Sequence, residues 1–477
     1  QMNLFKDMVC YQEEVRDPSR MAEVLNRVIE KAFRGSAPAQ INVPRDYWTQ
    51  VIDIELPPIV RFERQGGGKE AIENAAKLLS KAKFPVILSG AGVVLGGAID
   101  ECKKLAEKLD APVCNGYQHN DSFPGSHPLA VGPLGYNGSK AAMELISKAD
   151  VVLALGTRLN PFSTLPGYGI DYWPKKATII QVDMNPDRIG LTKKVSVGIC
   201  GDAKQVAQQI LDKLSSDAGN TGREERKNLI HKTKSAWLQT LSGLDHEEDD
   251  PGTVWNKEAR ERDKDRMSPR QAWRAIQDAL PQDAIISSDI GNNCAIGNAY
   301  PTFEKPRKYL APGLFGPCGY GFPAILGAKI GCPDTPVVGF AGDGAFGISM
   351  NEMSSCAREE WPAITMVIFR NYQWGAEKRN SILWFDDNFV GTELDPELSY
   401  AKVANACGLK GITCKTMEET TKAIKQSCED QKKGITTFIE IILNQELGEP
   451  FRRDAMKKPV KVAGVNISDM KPQKSII

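Results

Sequence analysis

Apolar residues at Met21, Val24, Leu25, Val28, Ile29, Ala32 and Phe33 recur with helical period between the start signal Asp17-Pro18-Ser19 and Gly35. They predict one amphipathic helix. A short apolar strand over 39–43 follows, closed by Pro44. One helix and one strand do not bury both faces of a sheet. Residues 1–55 are therefore expected to be the end of a domain whose strand partners precede Gln1. Pro57-Pro58 and Gly66-Gly67-Gly68 mark a linker over 56–68. From Lys69 to Leu214 helices alternate with apolar runs at 85–88, 112–114, 151–155 and 178–182, with a helix expected over 98–108. Those runs show no in–out alternation, as in parallel strands covered on both faces. The segment 215–266 is charge-dense and includes His246-Glu247-Glu248-Asp249-Asp250, which predicts a solvated linker with some helix. Ser268-Pro269 is an N-cap with Pro at the first helical position. It opens a second α/β region over 267–446, with strands expected at 284–287, 336–340, 364–369 and 435–443 and a helix at 349–360. Residues 447–477 read as a polar, basic tail. The fold class expected is α/β, with two doubly wound parallel-sheet domains.

Composition narrows the function classes. The chain has 477 residues, with 60 basic and 60 acidic side chains and a net charge of +0. That balance argues against a nucleic-acid partner, which selects for a basic excess. Eleven cysteines without a CxxC pair argue against a zinc ribbon or a disulfide scaffold and suit a reducing, cytoplasmic setting. The uncharged stretch 309–328 is long enough to span a membrane, but it carries eight Gly or Pro residues. No lipid-embedded helix survives that, so a buried, loop-rich segment is expected. The first residue is Gln1 and no signal-peptide pattern follows, so a cut N-terminus is expected.

The segment Val337 to Phe346 runs a buried strand into Gly342-Asp343-Gly344-Ala345. A carboxylate then sits at the C-terminal edge of a parallel sheet, where open α/β folds bind ligands, and the glycines admit a phosphate to the backbone. After a crossover the next strand ends in Arg370-Asn371-Tyr372-Gln373-Trp374-Gly375. Parallel strands joined by a crossover end side by side, so Asp343 and Asn371 are expected on one edge. Oxygen donors without sulfur or imidazole suit Mg²⁺ shared with phosphates.

Gly-Asp-Gly followed at this spacing by Asn371 resembles the diphosphate signature of the thiamine diphosphate enzymes of the acetolactate synthase and pyruvate oxidase group. Arg370 stands where that signature has its first Asn. Ser288-Asp289-Ile290-Gly291-Asn292-Asn293 resembles the group's first cofactor loop. Gly316-Pro317-Cys318-Gly319-Tyr320-Gly321-Phe322-Pro323-Ala324 resembles the segment beneath the bent cofactor, with Cys318 in place of a bulky aliphatic wedge. The resemblance implies a pyrimidine-binding domain ending near residue 55, a central domain over 69–214 and a diphosphate-binding domain over 267–446. It implies thiamine diphosphate contacts at Ile290, Gly291, Asn292, Asn293, Gly316, Cys318, Gly342, Asp343, Gly344, Ala345, Asn371, Gln373, Trp374 and Gly375. It also implies Mg²⁺ held by Asp343, Asn371 and the Gln373 carbonyl. The group's activating glutamate is expected upstream of Gln1, since Glu13, Glu14, Glu23 and Glu30 lack its context. Active sites of the group form between subunits, which implies a homodimer or homotetramer.

Two segments, 370–380 and Ile41-Asn42-Val43-Pro44-Arg45-Asp46, narrow the resemblance to the branch acting on sulfoacetaldehyde and phosphate, with acetyl phosphate and sulfite as products. A carboligase of keto acids and a non-catalytic cofactor-binding paralogue remain open. For substrate anions the candidates are His119, Arg158, Lys378 and Arg379, the alternatives being a solvated loop histidine for His119, a structural ion pair or loop hydrogen bonds for Arg158, and an exposed charged helix turn for Lys378 and Arg379. Ser89-Gly90-Ala91-Gly92-Val93-Val94-Leu95-Gly96 resembles a dinucleotide fingerprint but has Leu95 at the third glycine, which leaves a helix-packing turn as the alternative. Trp374 is open to a core role, and Cys318 to packing rather than thiol chemistry.

Overall fold

The computed structural model describes residues 1–57, 63–243, 261, 263–313, 315–378 and 390–446. The chain forms two compact units, Gln1–Arg64 and Gln65–Ile477. In the first, strands β1 (Tyr11–Glu14) and β2 (Ala39–Asn42) pair in parallel under the helix Met21–Gly35. The strand expected at 39–43 thus has a partner inside the chain. That partner went unread because Tyr-Gln-Glu-Glu carries no hydrophobic pattern. The core here is small: Val15, Val24 and Val28.

The second unit holds two six-stranded, wholly parallel sheets. One contains β3 (Pro85–Ser89), β4 (Val113–Asn115), β5 (Ala130–Pro133), β6 (Val151–Leu155), β7 (Thr178–Asp183) and β8 (Val197–Cys200), in the order 5-4-3-6-7-8. The other contains β9 (Ile285–Ser288), β10 (Tyr309–Leu310), β11 (Val337–Gly342), β12 (Thr365–Arg370), β13 (Lys410–Cys414) and β14 (Thr437–Ile442), in the order 10-9-11-12-14-13. Every residue of β3, β6 and β12 is buried, which is why they read as unbroken apolar runs. In the second sheet the order reverses at β9–β11, and the C-terminal edge beside that reversal is where ligands bind open sheets. Phe340 lies opposite Ser288 and Gly342 opposite Phe369, so three chain turns meet there. Ser268 caps the helix Pro269–Ala279 through a full capping box.

Side chains from the first sheet region bind the backbone of the second. Asn120 Nδ2 donates to the carbonyls of Asn298 (2.8 Å) and Pro301 (3.0 Å), and Asp121 Oδ2 accepts the N–H groups of Lys308 (3.0 Å) and Tyr309 (3.3 Å).

Three expectations need correction. The stretch 215–266 is not simply solvated linker, because the helix Arg223–Gly243 packs on the first sheet region and buries Ile230 and Trp237. Arg226 is buried with it, and the guanidinium donates to the carbonyls of Lys83, Leu109, Asp110, Gly219 and Thr221. The 309–328 stretch is neither wholly buried nor only loop. Gly321–Gly331 is a helix, since Pro323 falls in its first turn, where no N–H partner is lost. Ahead of it Phe315 is 92% exposed and Cys318 is exposed. Finally, the helix expected at 349–360 begins at Asp343 itself and reaches Cys356 in short α and 3₁₀ pieces. Among the described residues no helix is long and apolar enough to cross a membrane. The tail 447–477 and the run 246–250 lie outside the described residues.

Candidate active site

Asp343 starts a helix directly after β11, and its carboxylate is buried. Oδ2 accepts the backbone N–H of Tyr372 (2.6 Å) and Nη1 of Arg370 (3.1 Å), while Oδ1 accepts the N–H of Gly344 (3.0 Å). Burial pushes the Asp343 carboxyl up to about 6, opposed by the charge of Arg370. Asn371 lies between two residues that grip Asp343. Tyr372 stands at φ +62°, the turn that swings the chain off β12.

The amide of Asn371 is 1% exposed, and neither Oδ1 nor Nδ2 has a hydrogen-bond partner among the described residues. A buried amide left so costs about 1–3 kcal/mol, which a fold does not carry without use. A buried amide oxygen and nitrogen on the residue between Arg370 and Tyr372 suit a hard cation and a phosphate oxygen respectively. Gln373 is buried as well, with Nε2 donating to the Gln445 carbonyl (3.2 Å) and Oε1 unpartnered. The donor set thus fits a metal–diphosphate group. No cluster of three or more His, Cys, Asp or Glu that could hold a metal occurs among the described residues.

The glycines divide by role. A Cβ at Gly342 would meet open space, whereas one at Gly344 would lie 2.7 Å from the Trp374 indole. Trp374 therefore packs across Gly344, and of these two glycines it is Gly342 that leaves room for a ligand. Ala345 and Gly375 are buried beside them. The loop after β9 is set by a residue that motif reading passed over. Asp289, buried, accepts the N–H groups of Ile290 (2.7 Å) and Gly319 (3.1 Å) on Oδ1 and of Gly321 (2.6 Å) on Oδ2. It staples the 288–293 loop to the 316–321 segment, and burial raises its carboxyl pKa. The signal was available, since an aspartate following a buried strand needs donors. Gly291 at φ +135° leads into Asn292 and Asn293. Asn292 Nδ2 donates to the Glu446 carbonyl (3.2 Å), and Asn293 Oδ1 is buried and unpartnered. Gly316, at φ +62°, faces Ile290. Burial and the nearby charges of Asp289 and Glu377 push the Cys318 thiol up, the opposite of nucleophilic activation.

The substrate candidates separate. Burial first, then the cation of Arg158, pushes His119 down to about 4, so the imidazole is neutral at neutral pH. The two side chains thus share one region at the C-terminal edge of the first sheet. Lys378 is engaged by Glu393 and Gln445 and is not an open anion site. Asn160 accepts the N–H of Phe162 as a turn cap. Arg379 lies outside the described residues. In the fingerprint-like segment a Cβ at Gly90 or Gly92 would strike the backbone of Gly156 at 2.6 and 2.7 Å, so these glycines serve strand–helix packing.

The chain is similar to known proteins in both sequence and fold. Residues 72–210 match the family described as thiamine pyrophosphate enzyme, central domain, and 289–441 match the C-terminal TPP binding domain. A probable sulfoacetaldehyde acetyltransferase of Rhizobium meliloti (strain 1021) is 77% identical over 99% of this chain and 80% of its own length. The sulfoacetaldehyde acetyltransferase of Roseovarius nubinhibens is 75% identical over 99% and 78%. A probable acetolactate synthase large subunit of Methanocaldococcus jannaschii is 28% identical over 89% of the chain and 70% of its own. The crystal structure of benzoylformate decarboxylase from Polynucleobacter necessarius superposes with a TM-score of 0.74 at 20% identity, covering 94% of this chain and 78% of that one.

Proposed function

The chain belongs to the thiamine pyrophosphate enzymes, in the sulfoacetaldehyde acetyltransferase family, and from that premise we propose that it converts sulfoacetaldehyde and phosphate to acetyl phosphate and sulfite. The observation that carries the substrate is 77% identity over 99% of the chain to a relative bearing that name. An acetolactate synthase reading has far less support, at 28%.

Thiamine diphosphate, when bound, supplies a carbanion that adds to an aldehyde carbonyl. The chain's own residues bind and orient it. Asp343, Asn371 and the Gln373 carbonyl hold Mg²⁺, a role supported by the buried, unpartnered Asn371 amide. Gly342 gives the diphosphate access to the backbone, while Asp289 fixes Ile290–Asn293 and Gly316–Gly321 as the two walls of the cofactor cleft. His119 and Arg158 are the substrate-side candidates, with His119 a neutral hydrogen-bonding group and Arg158 the cation for an anionic substrate. Lys378 braces Gln445 and Glu393 instead. The working assembly is at least a homodimer, in the cytoplasm.

The decisive assay supplies sulfoacetaldehyde, phosphate, thiamine diphosphate and Mg²⁺ and follows sulfite and acetyl phosphate. Equimolar release of both is expected. A protein that joins pyruvate into acetolactate but releases no sulfite would refute the assignment.

A further inference from the structure

Arg370 stands where the thiamine diphosphate signature resembled above has asparagine, and it is a buried guanidinium pressed against the carboxylate assigned to the metal. Its side chain is 1% exposed. Nη1 meets Asp343 Oδ2 at 3.1 Å, and Nη2 donates to the carbonyls of Leu398 (3.0 Å) and Asp395. Nε, buried without a hydrogen bond, faces Glu440 Oε1 at 3.8 Å. The guanidinium carbon lies 4.2 Å from the Tyr372 ring centroid and 5.4 Å from that of Tyr400. Tyr400 Oη in turn donates to the Asp343 carbonyl (2.9 Å).

We propose that Arg370 is a positioning residue that fixes the Asp343 carboxylate for the metal, occupying Oδ2 so that Oδ1 is presented. The proposal rests on the cofactor reading above. Three features support it. With the Tyr372 N–H, the guanidinium supplies both donors to Oδ2, whereas Oδ1 accepts only the Gly344 N–H among the described residues. A planar fork suits this place as an ammonium does not, because one face of contacts must reach a carboxylate and two carbonyls at once. The cation is also balanced. Glu440 is 2% exposed, is further held by Ser399 Oγ (2.6 Å) and the Tyr400 N–H (3.1 Å), and so helps to fix where the guanidinium meets Asp343. One side chain thereby ties together the end of β12, the first residue after β11 and the 395–400 segment.

The test measures Mg²⁺ affinity in the presence of saturating thiamine diphosphate by calorimetry on the whole chain, with melting temperature alongside. Residues orienting a metal ligand typically contribute 10–100-fold in affinity. Arg370→Gln is expected to weaken Mg²⁺ by about that factor. Arg370→Lys is expected to recover the melting temperature but only part of the affinity. Should Arg370→Gln not fold, Arg370→Lys and the charge-neutral pair Arg370→Gln/Glu440→Gln carry the measurement. Asp343→Ala serves as the separate arm, and unchanged Mg²⁺ affinity there would overturn the cofactor reading itself. If Asp343→Ala abolishes binding while the folded Arg370 variants stay within about twofold of the parent, the positioning role is wrong and Arg370 is structural only.

Discussion

At the scale of single residues, the site is marked by polar atoms the fold leaves unsatisfied. Asn371 is the sharpest case, because both ends of its amide are buried without partners among the described residues while its neighbours Arg370 and Tyr372 both donate to Asp343. Two consequences of opposite sign follow. Asn371→Ala removes a desolvated amide and is expected to leave the metal-free chain as stable as before or more stable by about 1 kcal/mol. The same change is expected to weaken Mg²⁺-dependent cofactor binding at least tenfold, by loss of an oxygen ligand. Urea titration and calorimetry on one sample check both. A variant that is destabilised yet binds Mg²⁺ normally would make Asn371 a packing residue. Asn371 was legible in the sequence because a motif places it. Asp289 was legible only in part: an aspartate after a buried strand calls for donors, but the order of residues does not say that they come from a segment some thirty positions away.

At the scale of elements, periodicity located the buried strands well and the polar elements poorly. The run 151–155 is the strand Val151–Leu155, since complete burial leaves no polar position to blur it. The helix Arg223–Gly243 is mostly polar by composition, yet it buries Ile230 and Trp237 and is fastened by a buried arginine. Arg226→Met keeps the volume and strands five carbonyls that the guanidinium now satisfies. Removing a buried charge-assisted hub of this kind is expected to cost about 3–5 kcal/mol. Denaturant unfolding followed by far-ultraviolet dichroism measures it. A loss under about 1 kcal/mol would mean that water replaces the guanidinium at those carbonyls.

At the scale of the whole molecule, the first unit has a small apolar core and depends more on charge. Arg27 donates to Glu13 through Nε and Nη2, both at 2.8 Å, and to Glu23 at 2.9 Å. Those bonds bring the Glu13 carboxyl down from its ordinary 4.5 to about 2. A carboxylate lowered on folding stabilises the folded state above its ordinary pKa, and that contribution fades as pH falls from about 4.5 through about 2. Hydrogen-exchange protection of β1 and the helix Met21–Gly35 is therefore expected to fall across that window. Glu13→Gln is expected to lower protection at pH 7 and to flatten the acid loss. If protection is pH-independent in the parent chain, the ion pairs contribute nothing there. These pairs also bear on catalysis, since Glu13 and Glu23 are committed to Arg27 rather than open to a cofactor.

The sequence by itself determined the α/β class and the parallel strands, and its resemblance to the thiamine diphosphate enzymes implied the cofactor. Hydrophobic runs report burial directly, and Gly-Asp-Gly with a following Asn records a backbone approach that few other residues permit. Tertiary structure decided what depends on partners distant in sequence. It brought Asp289 to Gly319 and Gly321, Arg226 to five carbonyls, Trp374 across Gly344, and Arg370 between Asp343 and Glu440. The physical reason is that a buried polar group is tolerated only where its partners converge. Convergence is a property of three-dimensional packing, and the order of residues along the chain does not state it.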